Sequence, residues 1–257
     1  SKTKPEYVFL AAAKVGSIYA NSKYPAEFIY QNLAIQTNVI DSAYKYGSKK
    51  LLFLGSSCVY PKECKQPMKE KYLLRGAIEP TNEPFAVAKL AGIKMCHAYN
   101  QQYGTNFISI IPANVYGVNY HSGEDAHVVI SLLEKFHAAK IKGLDTVTVW
   151  GSGMPKRDFL YVDDLADACF FLMQKYDSIG VINVGNGKET SIRQLATLIK
   201  EITDFKGRII YDITKPDGNL RRLLDSSKIK TMGWKSKVNL AYGLNITYRW
   251  FKNKRRQ

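Results

Sequence analysis

Leu51-Leu52-Phe53-Leu54-Gly55-Ser56-Ser57-Cys58-Val59-Tyr60-Pro61 is an unbroken apolar run that ends on a small, polar turn. A run without polar alternation suits a strand buried on both faces, the habit of parallel sheets sandwiched between helices. Working outward, Tyr7-Val8-Phe9-Leu10-Ala11-Ala12-Ala13 reads as a second buried strand. Between the two lies a helical pattern from about Pro25 to Tyr46, closed by Gly47. On the other side, a helix is predicted from Pro84 to Tyr103, with Ala88, Gly92, Cys96, Tyr99 and Tyr103 on one stripe and Gly104 as its stop. Asn106 to Ile111 gives a third strand, halted by Pro112.

Beyond Tyr116-Gly117 the alternation loosens. Helices are expected near Val128–Ala139, Asp164–Lys175, Ser191–Ile202 and Asn239–Trp250, with strands at Thr146–Trp150, Asp158–Val162, Val181–Val184 and Arg208–Tyr211. Strand–helix alternation of this kind makes an α/β fold, a Rossmann-like parallel sheet with a smaller mixed α/β C-terminal substrate lobe. Residues 1–117 are expected to form a partial dinucleotide-binding domain. Residues 118–257 are expected to be mainly a substrate-binding lobe, with some segments returning to the sheet. A dinucleotide-binding fold opens with a strand, a Gly-rich turn and a helix whose N-terminus holds the pyrophosphate. No G-x-x-G-x-x-G precedes Tyr7. The expectation is therefore a sheet missing its first strands, from a truncated chain.

Composition narrows the function classes. No apolar run approaches the roughly 20 residues of a membrane span. The four cysteines (Cys58, Cys64, Cys96, Cys169) show neither a CxxC pair nor zinc spacing, so no metal is expected. Reduced thiols point to the cytoplasm. Lysine and arginine exceed aspartate and glutamate by 15 charges. A basic field attracts polyanions, and a nucleic-acid binder would show salt-sensitive retention on DNA or RNA. The charges are scattered, however, and dense only in Lys252-Asn253-Lys254-Arg255-Arg256; no nucleic-acid-binding motif accompanies them. No nucleic-acid partner is expected.

Four segments carry a family likeness. They are Ala11-Ala12-Ala13-Lys14-Val15-Gly16, Gly55-Ser56-Ser57-Cys58-Val59-Tyr60-Pro61, Glu79-Pro80-Thr81-Asn82-Glu83-Pro84 and Val149-Trp150-Gly151-Ser152-Gly153. Together they resemble the GDP-L-fucose synthase family of extended short-chain dehydrogenase/reductases, over nearly the whole chain. The resemblance implies reduction of a GDP-4-keto-6-deoxy sugar at C4 by NADPH in a homodimer, either alone or after epimerisation at C3 and C5. Related enzymes act on heptoses, so the likeness does not fix the sugar.

Ketone reduction needs a proton for the carbonyl oxygen, from a donor whose anion is tolerable near neutral pH. A tyrosine beside a lysine cation meets that need, and a serine hydroxyl adds a second hydrogen bond to the oxyanion. The resemblance assigns the serine to Ser56 and the lysine to Lys89. The tyrosine position, four residues before Lys89, holds Phe85, which has the ring without the hydroxyl. The favoured reading is a Tyr→Phe change made to trap substrate. A naturally silent or rewired homologue and a plain packing residue are the alternatives. Outside this context, Ser56 reads as a turn residue and Lys89 as a surface lysine.

The resemblance further makes Cys58 the base and His127 the acid of epimerisation; both titrate not far from neutrality. Otherwise Cys58 is a small buried hydrophobe and His127 a surface histidine, with His121 a rival. For the cofactor, the resemblance implies Ala11, Ala12, Ala13, Lys14, Leu54, Gly55, Ser56, Ser57, Lys89, Pro112, Ala113, Asn114, Val115 and His127. For the GDP-sugar it implies Lys135, Trp150, Arg157, Asp217 and Arg222. Lys135 stands where arginine is more usual, exchanging a bidentate phosphate grip for a point charge. A catalytically silent nucleotide-sugar binding protein is the competing function.

Overall fold

The computed structural model describes residues 3–120, 126–215 and 217–254. His121, Pro216 and the basic tail beyond Lys254 lie outside them. Strands run β1 (Tyr7–Leu10), β2 (Lys50–Leu54), β3 (Phe107–Pro112), β4 (Asn114–Tyr116), β5 (Thr146–Trp150), β6 (Lys156–Tyr161), β7 (Val181–Val184), β8 (Glu189–Ser191), β9 (Arg208–Asp212) and β10 (Arg221–Arg222). Helices run α1 (Ile18–Lys23), α2 (Pro25–Lys45), α3 (Glu83–Tyr103), α4 (Val128–Ile141), α5 (Val162–Lys175), α6 (Ile192–Thr203), α7 (Ser227–Thr231) and α8 (Leu240–Lys254).

The main sheet is parallel, in the order β1-β2-β3-β7. Its central strands are apolar because both faces are covered: Leu51, Leu52, Phe53, Ile108, Ile110 and Ile111 have no exposed surface. Each such side chain contributes about 1.5–3 kcal/mol on burial. α2 and α3 lie against each other and close one face. Gly92 lets α3 settle onto β2, since a Cβ there would come within 2.4 Å of the Phe53 ring. α3 ends on Gly104 at φ 66°, as its sequence predicts.

A second hydrophobic cluster joins α4, α6 and α8 to β5 and β6 through Leu133, Phe136, Val149, Leu195, Ile199 and Leu244. β5 pairs with β9, while β6 is flanked by β4, β10 and β8. No helix among the described residues is long and apolar enough to cross a membrane.

The structure departs from the sequence reading at several places. The first strand stops at Leu10, leaving Ala11–Ala13 as a loop. Tyr7 and Phe9 are exposed, because among the described residues β1 pairs with β2 alone. Pro112 belongs to β3 instead of halting it. The short elements β4, β8, β10, α1 and α7 carry too few residues to show a period in sequence.

Candidate active site

The chemistry gathers at the carboxyl ends of the parallel strands, where strand ends open onto loops. β2 leaves the sheet through Gly55, whose N–H donates to the Ile110 carbonyl at 2.8 Å. A Cβ there would sit 2.9 Å from that oxygen, so only glycine keeps the strand end this close to β3. The chain then tightens into a single 3-10 turn, Ser57–Val59, with Ser56 as its N-cap. The Cys58 N–H donates to Ser56 Oγ at 3.4 Å. Tyr60, fully buried, anchors the exit from the turn by donating its hydroxyl to Asn183 Oδ1 on β7 at 2.7 Å.

Lys89 is not a surface lysine. It is 3 % exposed, its ammonium donates to the Leu54 carbonyl at 2.8 Å, and it lies 4.8 Å from the centre of the Phe53 ring. Burial pulls its pKa down to about 8, partly opposed by the nearby Cys58 thiol. Cys58 is buried, and burial pushes its thiol up. Ser56, Arg222 and Lys89 act in the opposite direction, favouring thiolate. Ser56, Cys58, Lys89 and Arg222 therefore share one electrostatic neighbourhood.

Phe85 lies one helical turn before Lys89 on α3, half-buried against the main core. Its ring meets Phe28 edge-on, with centroids 6.4 Å apart. His127 precedes α4 and lines a cavity of about 450 Å³ with Val15, Gly16, Val115, Tyr116 and Tyr120. It is solvent-accessible at the rim, as a surface histidine would be, yet desolvation by the surrounding protein lowers its pKa.

Two cofactor-side segments named from sequence meet at this cavity, the loop after β1 through Val15 and Gly16 and the β4 strand through Val115. Sequence reasoning missed the residue that shapes the first. Asn32 on α2 is 2 % exposed; its Oδ1 accepts from the Lys14 N–H and its Nδ2 donates to the Lys14 carbonyl, both at 3.0 Å. Lys14 also pairs with Glu27. A signal existed: Asn32 interrupts the buried stripe Phe28, Asn32, Gln36, Ile40. Ala113 is fixed by its N–H to the Val184 carbonyl at 2.8 Å, whereas Ala11 and Ala12 are exposed. The loop after β1, with Lys14 pinned, and the β4 segment border the cavity, in the place where the sequence reading puts the nicotinamide-ribose half of a dinucleotide.

The residues named for the sugar nucleotide form a separate, more open group. Trp150, at the end of β5, is 64 % exposed, with the Lys135 and Lys215 ammoniums 5.2 and 5.7 Å from its ring centre. The next residues hold Asp217: its carboxylate accepts from the Ser152 N–H and hydroxyl, both at 2.7 Å. Arg157 on β6 and Arg222 on β10 are register partners. Burial and Arg222 lower the Arg157 pKa to about 10, against the attraction of Asp217. Arg157 and Arg222 thus join this group to the Cys58 turn. Asn219, also missed from sequence, accepts from Arg222 Nε and Nη2 at 2.8 and 2.6 Å and donates to Glu79 at 2.9 Å, with its amide oriented to satisfy all three.

Comparison with known proteins identifies the family. Residues 1–185 match the NAD dependent epimerase/dehydratase family. GDP-L-fucose synthase 1 of Arabidopsis thaliana is 55% identical over 253 residues, covering 98% of this chain and 78% of that protein. A GDP-6-OMe-4-keto-L-xylo-heptose reductase from C. jejuni superposes with a TM-score of 0.93 at 36% identity, over 98% of this chain and 84% of that one. A GDP-mannoheptose C4 reductase from Campylobacter jejuni, solved with NADP bound, gives 0.89 at 39% identity, over 98% and 82%. The chain belongs to the NAD dependent epimerase/dehydratase family, among the GDP-L-fucose synthases and GDP-sugar C4 reductases.

Proposed function

We propose that this chain reduces the C4 ketone of a GDP-4-keto-6-deoxy sugar, hexose or heptose, with NADPH as reductant. The observation that carries the proposal is Lys89: a lysine 3 % exposed, beside Ser56 and Cys58 at a parallel strand's carboxyl end. A buried ammonium is costly, and such perturbed groups concentrate where charge develops in a reaction.

In this reading Ala11–Lys14, Leu54–Ser57, Lys89, Pro112–Val115 and His127 hold the nicotinamide half of the cofactor, which supplies hydride when bound. The Ser56 hydroxyl donates a hydrogen bond to the sugar's carbonyl oxygen as negative charge builds there, and the proton that completes the alcohol comes from solvent because Phe85 lacks a hydroxyl, which slows the step. The Lys89 cation favours that charge from behind. Before reduction, Cys58 removes the acidic proton next to the ketone and His127 returns one to the opposite face, which is the C3/C5 epimerisation. Lys135, Trp150, Arg157 and Asp217 bind the nucleotide end. The assembly we propose is a homodimer through α2 and α3, which leave Tyr30, Tyr44, Val87 and Tyr103 exposed.

Phe85 supports a second reading, a silent nucleotide-sugar binder, because the proton donor is missing from an otherwise furnished site. One experiment separates the two. The protein with Phe85 and its Phe85→Tyr variant are given GDP-4-keto-6-deoxymannose with NADPH, and cofactor oxidation and the C4 alcohol are followed. Turnover by Phe85→Tyr supports the reductase. Tight GDP binding by calorimetry without turnover in either protein leaves the silent binder. Absence of GDP binding overturns both.

A further inference from the structure

We infer that Arg222 is a positioning residue for the Cys58 turn, so that the substrate-side segment 217–225 sets the reactivity of the thiol. The inference rests on the proposed role of Cys58 as epimerisation base and assigns Arg222 a task distinct from gripping phosphate.

The guanidinium is already committed within the protein. Its Nη1 donates to the Ser57 carbonyl at 3.1 Å, and its Nε and Nη2 converge on the Asn219 amide oxygen. Asn219 in turn is tied to Glu79, which also pairs with Lys62 at 3.6 Å. The Ser57 carbonyl is the one that closes the 3-10 turn, accepting from the Tyr60 N–H at 3.3 Å. Pinning that oxygen from outside fixes the orientation of the turn and of the Cys58 side chain on it. A planar fork engaged on three sides holds one geometry in a way a lysine ammonium cannot.

The strand bearing Arg222 is clasped to the segment that follows the turn. The Leu223 N–H donates to Gln66 Oε1 at 2.9 Å, and its carbonyl accepts from the Met68 N–H at 2.8 Å. The Asp225 N–H returns a bond to the Met68 carbonyl at 2.9 Å. On its other edge the same strand pairs with β6, aligning Arg222 with Arg157. Arg222 is therefore rigidly placed between the nucleotide-side arginine and the thiol.

The ionisable groups acting on Cys58 are few. Burial raises the thiol pKa; the Ser56 hydroxyl, then Arg222, then Lys89 lower it. Arg222 also feels Glu79 and Cys64. Removing its charge takes away one of the two cations, with Lys89, that favour thiolate among the described residues, and the thiol rises further.

The test uses the ligand-free protein, so no substrate assignment enters it. Iodoacetamide labelling of Cys58 is quantified by mass spectrometry across pH for wild type, Arg222→Gln and Arg222→Lys, with Cys58→Ser as blank. Arg222→Gln is expected to move the labelling midpoint up by about one pH unit, an about tenfold slower reaction near neutrality. Arg222→Lys, which keeps the charge and loses the fork, is expected to fall between. A merely structural brace would instead loosen the turn and speed labelling at every pH with the midpoint unmoved. That outcome, or an unchanged profile, overturns the inference. Failure of the wild-type protein to bind GDP would remove the substrate class proposed above while the labelling midpoint still decides the role of Arg222.

Discussion

The two groups of site residues bury charge to different degrees. At the end of β2, Lys89 is buried, held by one carbonyl, and drawn down to about pKa 8. Around Trp150, itself 64 % exposed, Lys215 stands in solvent and Lys135 is partly desolvated, its pKa lowered by burial. A desolvated cation interacts strongly with a nearby developing charge, whereas exposed cations are screened and mainly attract and orient. The difference supports the proposal that the β2 side acts on a reacting oxygen and the Trp150 side recognises an anion. Substitutions on the first side should therefore move rates by orders of magnitude, and those on the second by small factors.

The largest expected effect is the gain from Phe85→Tyr. A positioned acid contributes about 10²- to 10⁴-fold, and the ring already packs at the required helical offset from Lys89. Reduction of the 4-keto sugar, measured by NADPH consumption under saturating substrate, should rise within that range. A rise of less than threefold would mean that the missing hydroxyl is not what limits this side of the cleft.

Next is Cys58→Ser. A serine hydroxyl is far too weak an acid to replace a thiolate base, so solvent-deuterium exchange into the 4-keto sugar should fall by at least about 10²-fold. Exchange at the wild-type rate would remove Cys58 from the epimerisation and leave reduction as the chemistry of this side.

How much of this was legible beforehand follows the same division. The main sheet was visible because Leu51–Leu54 is apolar without interruption and Phe107–Ile111 is broken only by the buried Ser109, the imprint of burial on two faces. α2 and α3 were visible through their length and their stops. Lys89, Cys58 and Ser56 stood out only through the family motif, since a lysine on a helix shows nothing of its burial in sequence. Asn219 and the Asn32 clamp on Lys14 were not legible in that way, because their partners are backbone atoms or side chains brought near by folding. β10 is two residues long and exists only because β6 is there to pair with it.

A smaller effect, on stability, sharpens the account of the buried side. The unfolded Lys89 ammonium keeps its proton to about pH 10.4, while the folded one releases it at about 8. Between those values the unfolded chain binds more protons, so stability rises with pH across that window; below about 8 the full burial cost is present. Lys89→Met, similar in volume and without charge, should then stabilise the protein at neutral pH by about 1–3 kcal/mol while abolishing turnover. The gain should shrink as pH approaches 10, where the folded lysine is already neutral. Urea melts of both proteins at several pH values measure this. A variant less stable than wild type at pH 7 would mean that the bond to the Leu54 carbonyl outweighs desolvation.

The smallest expected effect lies on the recognition side. Lys135→Arg replaces a point charge with a planar fork beside Trp150, able to stack on the indole and grip two phosphate oxygens at once. Because Trp150 is largely exposed and Lys135 only partly desolvated, with Lys215 over the same ring, the gain is limited by screening and by a neighbour already supplying charge. GDP affinity by calorimetry should tighten by about three- to tenfold at low salt, and the difference should shrink as salt is added. A change exceeding about 10²-fold, or one insensitive to salt, would place Lys135 in a desolvated contact of the Lys89 kind and dissolve the contrast between the two sides.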